Sequence, residues 1–285
     1  EKDLIPWLGA RNVNEIEPPE LLATLRRVEA RGAIDVAHRV LVTARGVLSY
    51  AVATGAAQRN PALDLKTALT PHHSKPFAAI TDPAALGELL RAMHGYMGHP
   101  VVRTALNLAP MLLQRPTELR AMAWEEVDLD AALWIIPAPR MKRRVHEKKH
   151  GEPHRVPLPR QAVALLRELH PLTGGGALVF PGMRGKNRPI SDNTLRAALQ
   201  TLGYSSEVQT IHGFRATART VLDERMGFEP NLIDAQLAHA VKDANGRSYN
   251  RTEHLEQRRT MMQAWADYLD ARRAGKEIEP PRPAA

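Results

Sequence analysis

His212 and Arg215 stand three residues apart in the run I-H-G-F-R. In a helix starting near His212 this spacing puts an acid/base group and a fixed cation one turn apart on one face, aimed at the same object. His239 follows an apolar helical turn of Leu232, Ile233 and Leu237, and Tyr249 lies ten residues on in the polar run G-R-S-Y-N-R. The set offers a proton-transfer group, an anion-binding fork, a second imidazole and a phenol. Each has a plainer reading alone: a capping or packed histidine, a surface cation, a half-buried tyrosine. Only their order, joined to an upstream arginine, carries an argument. That arginine is Arg115 in Q-R-P-T-E-L-R. Pro116 suits a first helical position, so Arg115 falls at a helix junction with its side chain free to leave the core. Glu118 is near enough to orient the guanidinium, and the pair taken alone reads as a helix-start ion pair.

The elements that must position these groups can be read from periodicity and punctuation. Leu21, Leu22, Leu25 and Val28 follow Pro18-Pro19 at helical spacing and stop at Gly32, and a second stripe from Ile34 to Val52 stops at Gly55. Tyr50 is expected in the core beside that stripe. Arg39 and Arg45 lie off its centre, either as the solvated face of a bundle or as contacts to a DNA backbone. T-P-H-H-S-K-P at 70–76 reads as an interdomain linker. His72 and His73 point apart with no carboxylate near in sequence, so no metal is expected there.

Asp82-Pro83 opens a helix through Leu86, Leu89, Leu90 and Met93, and Val101 to Leu113 is an apolar helix expected at the centre of the core. Leu133–Ile136 and Arg155–Leu158 are short β-like runs around a basic segment. His146, His150 and His154 within it are expected in a loop, since Gly151 and Pro153 break the helix that would align them on a metal. Gln161–Leu169 is an amphipathic helix, and Gly174-Gly175-Gly176 is a turn without the Lys-Ser/Thr of a phosphate loop. Arg184, Lys186 and Arg188, on a loop before the cap Ser191, are candidate phosphate contacts. Leu255–Arg272 is a helix with Met261, Met262, Trp265, Tyr268 and Leu269 on its apolar side. It is expected to pack either on its own domain or on a neighbouring copy.

Composition sets the outer bounds. The chain has 285 residues, 44% apolar, with 39 Lys+Arg against 31 Asp+Glu and no cysteine. It can bury a large core in one or two domains, and two are expected. Its basic balance suits a polyanionic partner without demanding one. The lack of cysteine excludes a disulfide framework and Cys-ligated metals, and no apolar run is long enough for a transmembrane helix.

H-G-F-R, L-A-H and Y-N-R, in that order, resemble the catalytic segment of the tyrosine recombinases, in particular the integrases of the P4-like phage and genomic-island type. The likeness extends upstream through R-P-T-E-L-R, A-L-W-I-I-P, R-V-P-L, R-P-I-S-D-N-T-L and L-G-Y, and downstream to R-R-T-M-M-Q-A-W-A-D-Y-L. It implies a mostly α fold with a small β-sheet. A helical SAM-like core-binding domain is expected over 1–70, a linker over 71–79, an α+β tyrosine recombinase catalytic domain over 80–272 and a proline-rich tail over 273–285. A further arm-binding domain is expected N-terminal to the chain's start. By the same resemblance Arg115 is the first catalytic arginine and Glu118 its supporting acid. A catalytic lysine sits on the β-hairpin: Lys142 matches best, with Lys148 and Lys149 as rivals because the hairpin is long. Thr117 stands where the P4-like pattern has Gly, a departure expected to alter packing more than chemistry.

Phosphodiester cleavage needs a nucleophile, charge neutralisation and a proton for the leaving oxygen. Arg115 and Arg215 fit the non-bridging oxygens, since guanidiniums stay charged and bind phosphate bidentately. Tyr249 is the expected nucleophile, His212 its base, Lys142 the acid toward the 5′ oxygen and His239 a donor to the phosphate. The resemblance implies a 3′-phosphotyrosyl intermediate. Such a link conserves the phosphodiester energy, so no ATP is expected, and the arginines take a metal's part, so no metal or other cofactor is expected. The implied partners are a double-stranded attachment core site and three further copies in a homotetramer on synapsed DNA. Directionality and DNA-bending factors are implied as well. The expected setting is the bacterial cytoplasm, at the nucleoid, with integration or excision of a prophage or genomic island as the outcome. A type IB topoisomerase-like enzyme and an inactive site-specific DNA-binding protein are the alternatives.

Overall fold

Several helices begin on proline, whose locked φ suits the first helical position and whose missing N–H is not needed there. In the computed structural model, which describes residues 2–72, 76–142, 145–183, 185–239 and 254–276, the chain divides into two compact units, Glu1–Pro76 and Phe77–Ala285.

The first unit is helical. It holds α1 (Ile5–Leu8), α2 (Pro18–Ala30) and α3 (Ile34–Ala53), followed by a 3₁₀ turn at Leu65–Ala68. Leu21 and Leu25 of α2 pack with Leu41, Ala44 and Leu48 of α3 and with Leu65 and Leu69. Burial of each large apolar side chain contributes roughly 1.5–3 kcal/mol. Tyr50 corrects the expectation of a core residue, since it is 71% exposed. The buried positions Ala37, Leu41, Ala44, Leu48 and Ala51 advance by three and four residues, and Tyr50, two beyond Leu48, points away from that stripe.

The second unit opens with α4 (Pro83–His94), capped by Asp82, whose Oδ1 accepts from the Ala85 N–H at 2.9 Å. Next comes α5 (Pro100–Leu112), buried along most of its length, and α6 (Pro116–Arg120). An antiparallel sheet follows in the order β1 (Val127–Asp128), β2 (Leu133–Ile136), β3 (His154–Pro157), with Trp134 opposite Val156 and both buried. The expected loop between β2 and β3 is partly helical: a 3₁₀ turn at Ala138–Arg140 and then α7 (Val145–His150). His146 and His150 therefore lie on one helical face with ring centroids 5.0 Å apart, while His154 is buried in β3. Gly151 and Pro153 end that helix rather than prevent it.

α8 (Arg160–Thr173) runs past Pro171, longer than its apolar spacing predicts. The segment expected as a loop before Ser191 is a two-stranded ribbon, β4 (Pro181–Gly182) with β5 (Gly185–Pro189). α9 (Asp192–Thr201) is followed by Gly203 at φ 90. α10 (Gly213–Thr220) continues through a π-type turn at Val221–Arg225 to α11 (Pro230–Gln236). Finally α12 (Leu255–Arg273) lies against α4, α5 and β3 of its own unit, burying Met261, Met262, Trp265, Tyr268 and Leu269. Trp265 donates to the carbonyl of Pro110 at 2.8 Å. Of the two expected packings for this helix, it adopts the one on its own domain. No helix among the described residues is long and apolar enough to cross a membrane.

Candidate active site

Pro116 decides the geometry around Arg115. A residue before proline is kept out of the helical region, and Arg115 is extended at φ −64, ψ 146 as the N-cap of α6. Its side chain leaves the α5–α6 junction sideways, and Glu118 receives it. Glu118 Oε1 accepts from Arg115 Nη1 at 2.8 Å and Oε2 from the Arg115 backbone N–H at 2.9 Å. With Glu118 only 2% exposed, this charge-assisted pair fixes the guanidinium in a dry setting. Arg115 Nη2 also donates to the carbonyl of Ala238 at 3.4 Å.

Arg215 rises from α10 into the same place. It is 6% exposed and donates to the carbonyls of Leu113 and of Leu237, the latter at 2.8 Å, while its Nη2 lies 3.1 Å from His239 Nε2. Burial, and after it the charge of Arg115, pushes the Arg215 guanidinium down to about 10, with Glu118 opposing. The group stays a cation at neutral pH but is short of negative charge.

His212 is the residue before α10. A short extended segment docks beside it: Ile80 N–H donates to Gln209 Oε1 at 2.7 Å, Thr210 N–H to the carbonyl of Ala78 at 3.1 Å, and Thr217 Oγ1 to the carbonyl of Ile80 at 2.8 Å. Gly213 permits this approach, because a Cβ there would lie 2.1 Å from the Ala78 oxygen. Phe77, at the start of the segment, sets its ring against the His212 ring with centroids 4.5 Å apart. His212 titrates below its usual range because of burial, then the charges of Arg215, Arg115, Lys142 and His239. It is therefore a neutral imidazole at pH 7.

His239 follows α11 and its Nδ1 lies 3.0 Å from Asp234 Oδ1, which also accepts from Arg219 Nη1 at 2.6 Å. Behind this group runs a buried polar lattice. Gln114 Nε2 donates to the carbonyls of Leu112 and Gln236 at 3.2 and 2.9 Å, and Arg258 donates from Nε and Nη2 to Gln236 Oε1 at 3.0 and 2.8 Å. Arg258 also donates to the carbonyl of Arg155 at 2.6 Å, and His154 Nε2 lies 3.2 Å from the Gln236 carbonyl. These contacts tie the end of α5, α11, β3 and α12 together.

Arg115, Glu118, His212, Arg215 and His239 are thus brought to one place, with Lys142 near enough for its charge to act on His212. Lys142 is exposed beyond the 3₁₀ turn after β2, and Lys148 and Lys149 are exposed on α7. Tyr249, Arg184 and the side chain of Lys186 lie outside the described residues. Arg188 is exposed on β5. Arg39 is ion-paired to Asp35 in the first unit. His72 does have a carboxylate neighbour, Asp35 at 3.4 Å, yet no group of three or more His, Cys, Asp or Glu that could hold a metal occurs among the described residues.

Residues 81–255 match the phage integrase family model, and residues 1–68 match that of the phage integrase central domain. The chain belongs to the phage integrase family. It is 35% identical over 277 residues to the integrase of Enterobacteria phage P4, covering 95% of this chain and 63% of that protein. It is 38% identical over 278 residues to prophage integrase IntZ of Escherichia coli K12, covering 96% of this chain and 65% of that one. The chain thus spans just under two thirds of these two integrases. A crystal structure of lambda integrase (75–356), a dimer bound to a COC′ core site, shares the fold, with a TM-score of 0.60 and 18% identity over 90% of this chain and 84% of that chain.

Sequence reasoning missed Phe77, Arg219, Asp234, Gln236 and Arg258 in this site. One of them left a signal: Arg258 falls on the apolar stripe of α12, three and four residues before Met261 and Met262, where an arginine must find buried acceptors. Asp234 and Phe77 left none, since their partners are set by a helix-end turn and by a docked segment.

Proposed function

We propose that this chain is the core-binding and catalytic part of a site-specific tyrosine recombinase that integrates or excises a mobile element. One observation carries the reading. In a member of the phage integrase family, two guanidiniums and two imidazoles, contributed from three separate stretches of chain, meet in one partly dry place, with Glu118 set against Arg115 and Asp234 against His239. Arg115 and Arg215 bind the non-bridging oxygens of the scissile phosphate, where charge grows in the transition state. Tyr249 attacks phosphorus, His212 takes its proton, and His239 donates to the phosphate. Lys142 protonates the 5′ oxygen; its influence on His212 favours it over Lys148 and Lys149. The product is a 3′-phosphotyrosyl link and a free 5′ hydroxyl, resealed without ATP.

The domains follow the same reading, with core binding over 1–70, a linker over 71–79 and catalysis over 80–272. Arg39, Arg45, Arg184, Lys186 and Arg188 contact the DNA backbone. The substrate is a double-stranded attachment core site, and the working assembly is a homotetramer; a lambda integrase tetramer bound to a Holliday junction is among the structures sharing this fold. The protein acts at the bacterial nucleoid. Covalent trapping tests the reading: a nicked candidate core duplex in EDTA is expected to give a protein–DNA adduct that maps to Tyr249 and vanishes in Tyr249→Phe while DNA binding persists. Tight binding without any adduct would favour a DNA-binding protein, and an adduct at another tyrosine would overturn the assignment of the nucleophile.

A further inference from the structure

The end of α11 folds back on itself. The His239 N–H donates to the carbonyl of Asp234 at 3.0 Å and the Ala238 N–H to that of Ala235 at 3.3 Å, with Ala238 at φ 49. This is the paired closure of a helix end around one left-handed residue. It returns the His239 ring over the last turn of its own helix, so Asp234 holds His239 twice, by its carbonyl and by its carboxylate. Arg219 Nη1, 2.6 Å from the same Oδ1, pins that carboxylate from α10, one turn after Arg215.

The two neighbours of the imidazole leave one arrangement of its proton. A carboxylate only accepts and a guanidinium only donates. Asp234 Oδ1 at 3.0 Å therefore requires hydrogen on Nδ1, and Arg215 Nη2 at 3.1 Å requires the lone pair of Nε2. We propose that Asp234, braced by Arg219, is the positioning residue that fixes His239 as the Nδ1–H tautomer and aims Nε2 at the position a substrate phosphate shares with Arg215. When a phosphate oxygen takes the Arg215 N–H, the Nε2 lone pair is freed to take a proton from solvent, without which Nε2 has no hydrogen to give the phosphate. A ring protonated there donates at both nitrogens, to the phosphate and to Asp234. Arg215 and Arg219, at i and i+4 of one helix, thus serve different partners: the first faces the anion, the second the acid behind the histidine.

The kinetic part of the test rests on the recombinase reading; the spectroscopic part does not. Histidine ¹⁵N spectra of the free chain, with His239 assigned by difference from His239→Asn, are expected to show the Nδ1–H form in the wild type and a mixture in Asp234→Ala. On a nicked core duplex Asp234→Ala should form adduct at least about 10- to 100-fold more slowly, the size met when the acid behind a metal-ligating histidine is lost, with DNA affinity kept. Asp234→Asn, the same shape without the charge, should fall between. A wild-type His239 protonated on Nε2 alone would overturn the proposal, as would Asp234→Ala cleaving at the wild-type rate or losing affinity in step with rate. If the wild type forms no adduct on any duplex, the recombinase reading fails and the ring spectra still decide the tautomer.

Discussion

The carbonyl of Leu113 accepts a hydrogen bond from the buried guanidinium of Arg215, and it does so from a left-handed backbone at φ 61. The arrangement is reciprocal. Leu113 lies two residues before Arg115, and Ala238, also left-handed, gives its carbonyl to Arg115 while preceding His239. Each arginine is braced by strained backbone beside another member of the site, where strain of about 1–3 kcal/mol per residue is held by surrounding contacts.

Lysine at position 215 would keep the charge but not the fork that spans Leu113, Leu237 and His239. Arg215→Lys is expected to lose about 1–3 kcal/mol of stability through unpaired buried carbonyls and about 100-fold in adduct formation. Urea denaturation and single-turnover trapping measure the two separately.

Glycine should suit position 238 better than alanine. Ala238→Gly removes the left-handed penalty without touching a site side chain, and should stabilise the second unit by about 0.5–1 kcal/mol. A raised denaturation midpoint with an unchanged slope would be the sign of it.

The carboxylate of Glu118 faces Arg115 in a nearly closed environment. Glu118→Ala leaves the guanidinium and the backbone N–H of Arg115 without their acceptor, and should cost about 2–4 kcal/mol. Glu118→Gln keeps the acceptor oxygen and should cost less than half as much, while still slowing cleavage about tenfold. Equal losses from both variants would mean that shape, not charge, is what Glu118 supplies.

At position 213 a methyl group would collide with the Ala78 carbonyl. Gly213→Ala should therefore push the 77–80 segment away, carry Phe77 off His212, and cost about 1–3 kcal/mol. A ring-current change at the His212 protons would report the displacement directly.

The lowered titration of His212 has a definite pH signature. The unfolded chain takes up this proton at about 6.5, whereas the folded site, dominated by burial and then by Arg215, takes it up only at lower pH. Between those values the unfolded state binds more protons, so stability falls as pH drops through the window and is full above it. Adduct formation should be level from pH 8 down to about 6.5 and decline only below the folded value. In His212→Gln the rate should drop about 100-fold and the acid limb attributed to this histidine should disappear.

The sequence alone determined much of the local order. Pro116 forces Arg115 out of the helix, and the apolar stripes of α2, α3, α5 and α12 follow from three- and four-residue spacing, a purely local property. Motif order likewise pointed to Arg115, His212, Arg215, His239 and Tyr249. The tertiary structure decided what spacing cannot encode. Asp234 reaches His239 because a helix end closes around a left-handed alanine, and Arg258 finds Gln236 and Arg155 because α12 packs on its own unit. Phe77 covers His212 because a segment more than a hundred residues upstream docks there. Tyr50 was misjudged because its hydrophobicity says nothing about which side of α3 it faces, and the segment between β2 and β3 forms α7 although its glycine and proline announce only where a helix must stop. Contacts of long sequence separation are chosen by the packing of whole elements, and no short stretch of residues contains that choice.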